Sequence, residues 1–172
     1  AIEHGAENVI PVSTIEEGLD YKAKGYVVGA ERNGKKYDGF DYGNSPFDYM
    51  GEDIVGKSVI LTTSNGTRAL KMSKNADEII TASFLNLTAV CSYLRVQDKD
   101  IILFCAGWKD RFSLEDTMCA GAIANDLKDC TETHADSTFA AIHLYTCHQD
   151  DLLKAIEQSN HYDRLAHNGM IK

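Results

Sequence analysis

The stretch Ser58-Val59-Ile60-Leu61-Thr62-Thr63-Ser64-Asn65-Gly66-Thr67-Arg68 decides the fold class. Residues 58–63 are apolar or β-branched at both odd and even positions, which is typical of a strand buried on both faces of a sheet. Ser64, Asn65 and Gly66 then interrupt the run, and helical spacing follows over residues 67–74. The pattern predicts a buried strand that leads through a short polar loop into a helix.

The same alternation extends in both directions along the chain. Residues 8–12 read as a strand followed by a helix over 13–24, with Ser13 and Glu16 as a capping box. Further strand and helix pairs are predicted at 78–83 with 87–96 and at 100–105 with 113–128. Strands that alternate with helices favour an α/β fold, a three-layer α/β/α arrangement with a mainly parallel or mixed sheet.

Two regions differ from this alternation. Residues 25–52 are rich in glycine and asparagine, which predicts one long loop, and long loops in compact domains are usually functional. From residue 137 onwards helical spacing continues without an intervening strand, so the C-terminal region is predicted to be helical.

The chain length fits one domain. A chain of 172 residues, 44% hydrophobic and 25% charged, has a globular composition, which excludes disorder as the main state. The chain begins at Ala1 within what reads as the end of a helix. We therefore expect a single domain over 1–172 that is trimmed at both ends.

The net charge restricts the partners. At a net charge of −9 the chain lacks the basic surface that nucleic acid or an anionic membrane would require. No apolar run approaches the ~18–20 residues of a membrane span. Five cysteines without a C-x-x-C pair indicate free thiols and a cytoplasmic protein. A homo-oligomer is left open.

The loop after residues 58–63 is the first candidate site. It combines Ser64, Asn65, Gly66 and Thr67 with the start of a helix, where free amides and the helix dipole suit phosphate or sulfonate. The alternative is an ordinary helix cap. Arg68 favours the anion site, because a cation in the first turn opposes the dipole unless it binds an anion.

The second candidate site is the start of the helix over 113–128. Glu115 and Asp116 are adjacent carboxylates, and Mg²⁺ commonly binds one or two carboxylates while substrate and water fill its other positions. Neighbouring helix positions point about 100° apart, so one of the two is expected to bind the metal directly. The alternative is that both acids, with Ser113, simply cap the helix.

A third reading concerns Cys105 and Arg111, whose spacing matches that of cysteine-dependent phosphatases. Such a loop must surround an anion with free amides, whereas Trp108, Lys109 and Asp110 bring bulk and a carboxylate into it. A buried thiol is the preferred interpretation of Cys105.

Four segments in order resemble the 2-phosphosulfolactate phosphatase family. They are Gly29-Ala30-Glu31-Arg32-Asn33-Gly34, Gly39-Phe40-Asp41-Tyr42-Gly43-Asn44-Ser45-Pro46, Thr62-Thr63-Ser64-Asn65-Gly66-Thr67-Arg68-Ala69, and Cys105-Ala106-Gly107 with Phe112-Ser113-Leu114-Glu115-Asp116-Thr117. The resemblance implies an Mg²⁺-dependent acid phosphatase with an α/β/α fold. Its implied reaction converts 2-phosphosulfolactate to sulfolactate in coenzyme M biosynthesis. Family members also carry a segment like Asp-Val-x-Arg-Ala-Thr near their N-terminus, and no such segment stands in this sequence.

The motifs supply a full set of expected site residues. Asp41 is the expected general base or second metal ligand, with the Asp of the absent N-terminal segment as an equal contender, and Arg68 is expected to act in catalysis. A small anionic phosphomonoester is expected to bind at the following residues: Arg32, Asn44, Ser64, Asn65, Gly66 and Thr67. Glu115 or Asp116 is expected to bind Mg²⁺ in a pocket shared with Arg68. The rival from another class is an anion-binding domain without catalysis.

Overall fold

The structure is a computed structural model that describes residues 1–32 and 35–167, with Arg32 and Lys35 described by their backbone only. The chain divides into two compact units, Ala1–Met72 and Ser73–Lys172, and each is described by itself. The single domain expected over residues 1–172 stays a prediction.

The first unit is built on a mixed sheet. Its strands are β1 (Asn8–Pro11), β2 (Val27–Arg32), β3 (Lys35–Lys36) and β4 (Ser58–Thr62). Their spatial order is β1-β4-β2-β3, with β4 parallel to both β1 and β2, and with β3 antiparallel to β2. The α/β class and the mixed sheet predicted from the sequence are confirmed.

Strand β4 is central and buried, as its composition predicts. Val59 and Ile60 are both fully buried and point to opposite faces of the sheet. On one face Ile60 packs with Val28 and Phe40, beside helix α1 (Ile15–Ala23). On the other face Val59 packs with residues from the 3₁₀ turns Pro46–Tyr49 and Glu52–Ile54. Within this unit the second covering layer is therefore made of 3₁₀ turns.

Strand β2 was not expected, because its glycine lies within a segment that reads as loop. A close contact explains why glycine occupies this position. An ideal Cβ on Gly29 would lie 2.0 Å from the Tyr49 hydroxyl oxygen, so only glycine lets the tyrosine cross the strand. The buried Tyr49 hydroxyl donates a 2.6 Å hydrogen bond to the Gly43 carbonyl. The long loop predicted over residues 25–52 is thus wrong for its first part.

The N-cap of helix α1 lies one residue later than predicted. Thr14 is its N-cap, accepting from the Glu17 amide at 3.1 Å, while the Glu17 carboxylate accepts from the Thr14 amide. The capping box is therefore formed by Thr14 and Glu17, and the Ser13 and Glu16 pair predicted from the sequence is wrong.

The segment after β3 is held to the sheet by Asp41. Its carboxylate forms an ion pair with Lys22 of α1 and accepts a 2.9 Å hydrogen bond from the Val28 amide. Burial alone would raise the pKa of Asp41, but Lys22 and the Val28 amide outweigh it and lower the pKa below its ordinary value. The carboxylate is therefore charged at neutral pH.

The remaining helices are α2 (Gly66–Met72), in the first unit, and α3 (Leu87–Leu94), α4 (Leu114–Asp126), α5 (Asp136–His148), α6 (Leu152–Ile156) and α7 (Asn160–His167), in the second. The last three of these helices confirm the helical C-terminal region. No helix among the described residues is long and apolar enough to cross a membrane.

The strands predicted at 78–83 and 100–105 are wrong, since neither segment is a strand in the structure. Burial along the second segment still alternates. Ile101 and Leu103 pack on the cluster between α3 and α4, whereas Ile102 and Phe104 are exposed. The period of two is therefore present, but a strand also needs a hydrogen-bonded neighbour. Neither segment has one among the residues that the structure describes.

Helices α4 and α5 approach closely at a glycine. An ideal Cβ on Gly121 would lie 2.0 Å from the Ala141 carbonyl oxygen, so the α5 backbone occupies the place of a side chain. Met118 and Ile123 of α4 are buried on either side of it along the chain. This contact fixes how α4 lies against α5.

We expect Gly29→Ala to lower the free energy of unfolding by about 1–3 kcal/mol, because the new methyl group overlaps the Tyr49 hydroxyl. Urea titration at neutral pH measures the loss. In the Tyr49→Phe background the same substitution should cost less, since the overlapping oxygen is gone. An equal cost in both backgrounds would contradict the assignment.

We expect Asp41→Asn to lower the free energy of unfolding by about 1 kcal/mol at neutral pH, a value reduced by partial exposure of the ion pair. Because the folded pKa is lowered, the native contribution is complete above the unfolded pKa and is lost as pH falls through the folded pKa. The gap between native protein and variant should therefore close under acid conditions. Asp38→Asn, an exposed change in the same segment, is the matched control, and a pH-independent gap would refute the assignment.

Candidate functional site

The loop between β4 and α2 lies at the carboxyl end of a central parallel strand, where α/β proteins commonly bind ligands. Thr63 and Thr67 exchange hydrogen bonds between side-chain hydroxyl and backbone amide, at 3.1 and 3.3 Å. This pair closes the loop as a cap. The amides of Ser64 and Gly66 have no acceptor among the described residues.

The predicted residues of the first unit share this edge of the sheet only in part. Ser64 and Arg68 are exposed on the loop and at the first turn of α2. The Arg32 backbone ends the neighbouring strand β2, and its side chain lies outside the described residues. Asn44 is exposed and follows Tyr42, which bridges in parallel to Gly29, so the chain runs toward the same edge.

Asp41 lies farther back along the sheet. It binds the amide of Val28, and Val28 pairs with Ile60, two residues before Thr62 at the end of β4. Its oxygens are engaged by Lys22 and Val28. The role of Asp41 as a general base stays a prediction, and its observed contacts are those of a residue that holds the fold.

The start of α4 organises the second unit's candidate site. The Ser113 hydroxyl accepts from the Asp116 amide at 3.3 Å and donates to the Glu115 carboxylate at 3.1 Å. Asp116 in turn accepts a 2.7 Å hydrogen bond from the Gly107 amide through Oδ2. The two predicted carboxylates are therefore each fixed by a local contact.

Glu115 also binds the beginning of the last helix. The Ser159 hydroxyl donates to Glu115 Oε1 at 2.6 Å and accepts from the Tyr162 amide at 3.1 Å, and His161 Nδ1 lies 3.6 Å from the same Oε1. Burial alone would raise the pKa of Glu115, but Ser159, its own amide, Ser113 and His161 together lower it. Glu115 is therefore ionised at neutral pH.

The carboxylate pair has the donor chemistry of a magnesium site. Carboxylate and hydroxyl oxygens are the ligands that Mg²⁺ prefers. Asp116 Oδ1 has no hydrogen-bond partner among the described residues, whereas both Glu115 oxygens are engaged. No group of three or more acidic, histidine or cysteine ligands stands together in the part that the structure describes. Mg²⁺ does not require such a group.

The loop from Cys105 to Arg111 does not have the form that cysteine catalysis requires. Burial, with the nearby Asp116, raises the pKa of the Cys105 thiol, so the nucleophilic thiolate is disfavoured. The Gly107 amide donates to Asp116, and the amides of Trp108 and Arg111 donate to one another's carbonyls. Those amides are consequently not available to surround an anion.

Trp108 belongs to a feature that the sequence analysis did not identify. It closes a hairpin turn whose central residues, Lys109 and Asp110, have φ of 51° and 60°, in the left-handed region. The Arg164 guanidinium of α7 lies 4.7 Å above the Trp108 ring centroid, and the Lys109 ammonium lies 4.8 Å from it. Both contacts are within the range of cation–π attraction.

The structure thus brings together residues that sequence spacing does not connect. Ser159 lies 44 positions from Glu115, and no local pattern links them. A serine ahead of a helical run is a cap signal that would have placed the start of α7, though not its partner. Arg68 belongs to the first unit and Glu115 to the second. Their meeting in one pocket stays a prediction.

Comparison with known proteins adds a family assignment. The family model described as 2-phosphosulpholactate phosphatase matches residues 1–172, the whole chain. A protein of Thermotoga maritima named "Probable 2-phosphosulfolactate phosphatase" is 44% identical over 165 residues, covering 96% of this chain and 71% of that protein.

Two further relatives carry the same name. One, from Caldanaerobacter subterraneus subsp. tengcongensis, is 38% identical, covering 96% of this chain and 70% of the relative. Another, from Clostridium perfringens, is 38% identical, covering 99% and 71%. The family model and these relatives agree over nearly all of the chain. The chain therefore belongs to the 2-phosphosulfolactate phosphatase family.

Proposed function

We propose that this chain is an Mg²⁺-dependent hydrolase of a small phosphomonoester, converting 2-phosphosulfolactate to sulfolactate and phosphate. Membership of the family and the names of its relatives support the substrate. The single observation that carries the metal dependence is the pair of fixed carboxylates at the start of α4.

Asp116 is the proposed direct ligand. The Gly107 amide fixes its Oδ2 at 2.7 Å, which leaves Oδ1 for a cation. Glu115 is ionised and held by Ser113 and Ser159, so it adds a fixed negative charge at the start of the same helix. When bound, Mg²⁺ would supply the positive charge that offsets the charge of the phosphoryl oxygens.

The β4–α2 loop is the proposed anion-binding segment. The Ser64 and Gly66 amides, with Asn65 and Thr67 on the same loop, are proposed to hold one anionic group of the substrate. Arg68 is proposed to stabilise the transferring phosphoryl group. Arg32 and Asn44 stay proposals for the remaining substrate contacts.

The physiological setting follows from the same proposal. Sulfolactate would serve coenzyme M biosynthesis, and a cytoplasmic location is proposed from the cysteines. The five cysteines Cys91, Cys105, Cys119, Cys130 and Cys147 are free, as proteins in a reducing compartment keep them.

A second candidate function is binding of a phosphorylated metabolite without turnover. This function is favoured by the structural contacts of Glu115 and Asp116, which already stabilise the ends of helices. Ser113 accepts from the Asp116 amide, and Glu115 binds the N-cap of α7. A binding domain would need neither Mg²⁺ nor phosphate release, so a phosphate-release assay separates the two functions.

We expect phosphate release from 2-phosphosulfolactate to stop when a chelator removes Mg²⁺ and to return when Mg²⁺ is restored. Asp116→Asn should raise the Mg²⁺ concentration for half-maximal activity by about tenfold to a hundredfold, since it removes a ligand charge. Asp136→Asn, at an exposed position on α5, is the matched control. Metal-independent release would contradict the proposal.

A cysteine mechanism gives the opposite pattern in the same assay. Cys105→Ser should keep activity within about threefold, because the protonated thiol plays no chemical part. Loss of activity in this variant with no effect of the chelator would support the cysteine alternative.

We expect Arg68→Gln to lower kcat/KM for 2-phosphosulfolactate by about tenfold to a hundredfold, through loss of charge-assisted contacts worth about 1.5–3 kcal/mol. Lys71→Gln removes an equal charge from an exposed position of the same helix and should leave kcat/KM nearly unchanged. Equal effects of the two substitutions would show that only the total positive charge of the helix matters, and the assignment of Arg68 would be wrong.

A further inference from the structure

The stacked pair of Trp108 and Arg164 has no place in the function described so far. We propose that Arg164, held over Trp108, binds the non-reacting acid group of the substrate and so selects phosphomonoesters that carry a second anionic group. This inference rests on the proposed function and assigns a specificity-determining residue to it.

Arg164 differs from Arg95 and Lys22 in its partners. Arg95 binds the carboxylates of both Asp126 and Asp129 at 2.9–3.0 Å, and Lys22 pairs with Asp41. The guanidinium of Arg164 has no ion pair or hydrogen bond among the described residues, and its contact is the face of Trp108. In a chain of net charge −9, a half-buried guanidinium without an acidic partner is an unusual feature.

The Trp108 ring also has a second cation near it. Arg164 and Lys109 both lie against this ring, at 4.7 and 4.8 Å from its centroid. A guanidinium can donate two parallel hydrogen bonds to a carboxylate or a sulfonate, and contact with an aromatic face leaves its N–H groups able to do so.

The position of Arg164 matches the proposed reaction centre. His161 and Arg164 lie three residues apart on α7 and therefore on one face of that helix, and His161 Nδ1 is 3.6 Å from Glu115. Trp108 follows Gly107, whose amide binds Asp116. Both partners of the stacked pair are thus connected, through α7 and through the hairpin, to the two carboxylates at the start of α4.

The backbone of the hairpin is consistent with a positioned ring. Lys109 and Asp110 occupy left-handed conformations that are costly for residues other than glycine, and such costs often occur at ligand sites. The turn is closed by reciprocal hydrogen bonds between Trp108 and Arg111 at 3.0 and 3.2 Å. The backbone that carries the Trp108 ring is therefore held in place without a ligand.

Two substrates distinguish recognition of the second acid group from recognition of the phosphoryl group, since only one of them carries the second acid. Arg164→Met keeps an aliphatic chain over the indole but removes the charge. It should lower kcat/KM for 2-phosphosulfolactate by about tenfold to a hundredfold, chiefly through KM, and leave kcat/KM for para-nitrophenyl phosphate within about twofold. Arg164→Lys should restore part of the loss. Lys154→Met, at an exposed position of α6, is the matched control.

A binding measurement makes the result independent of turnover. Trp108 is the one tryptophan in the sequence, so its fluorescence reports on the pair directly. Sulfolactate should change this fluorescence and bind at least about tenfold more weakly to Arg164→Met than to the native chain, while Lys154→Met should match the native chain. Circular dichroism of each variant shows whether α7 is retained.

The outcomes separate this inference from the proposed function. If the native chain binds sulfolactate through Arg164 but hydrolyses neither substrate, the inference stands and the phosphatase proposal fails. If Arg164→Met loses both substrates equally, or binds sulfolactate as the native chain does, the inference is overturned while the phosphatase proposal stands. Failure of the native chain to bind sulfolactate would also overturn it.

Discussion

Strand β4 must satisfy hydrogen bonds on both edges and bury side chains on both faces at once, and the first unit is organised by that requirement. β1 and β2 pair with it in parallel, α1 and the 3₁₀ turns cover its two faces, and Val59 and Ile60 are fully buried. Its carboxyl end then opens into the loop of Thr63 and Thr67. A polar loop held at the end of a buried strand places backbone donors at a defined edge of the sheet.

In the second unit the corresponding order comes from side chains. Ser113, Gly107 and Ser159 each donate to or accept from the acids at the start of α4, so that three separate segments converge there. The Ser113 contact with the Asp116 amide caps α4, and the contacts with Gly107 and Ser159 orient the two carboxylates and connect them to α7. The same hydrogen bonds therefore serve stability and the proposed chemistry, as is common where a site is built on helix ends.

The sequence predicted the elements that depend on a local residue pattern, and it did not predict those that depend on contacts with distant residues. The hydrophobic pattern of neighbouring residues was enough to identify β4 and most helices. It missed β2, since Gly29 is required by a tyrosine 20 positions away. It also predicted strands at 78–83 and 100–105, whose composition suits a sheet, although the described part of the chain places no partner strand beside them. The candidate residues on loops came from motifs, whereas Ser159 and Arg164 became apparent only from contacts across the fold.

The absence of a side chain at Gly121 affects the position of Glu115 and Asp116, which lie about one and a half turns earlier on α4. Because the α5 backbone fills that space, α4 can neither roll about its axis nor slide along α5 without a collision between main chains. The orientation of Glu115 and Asp116 therefore depends on a residue that has no side chain. A single methyl group added at Gly121 would tilt the carboxylate oxygens away from Gly107 and Ser159.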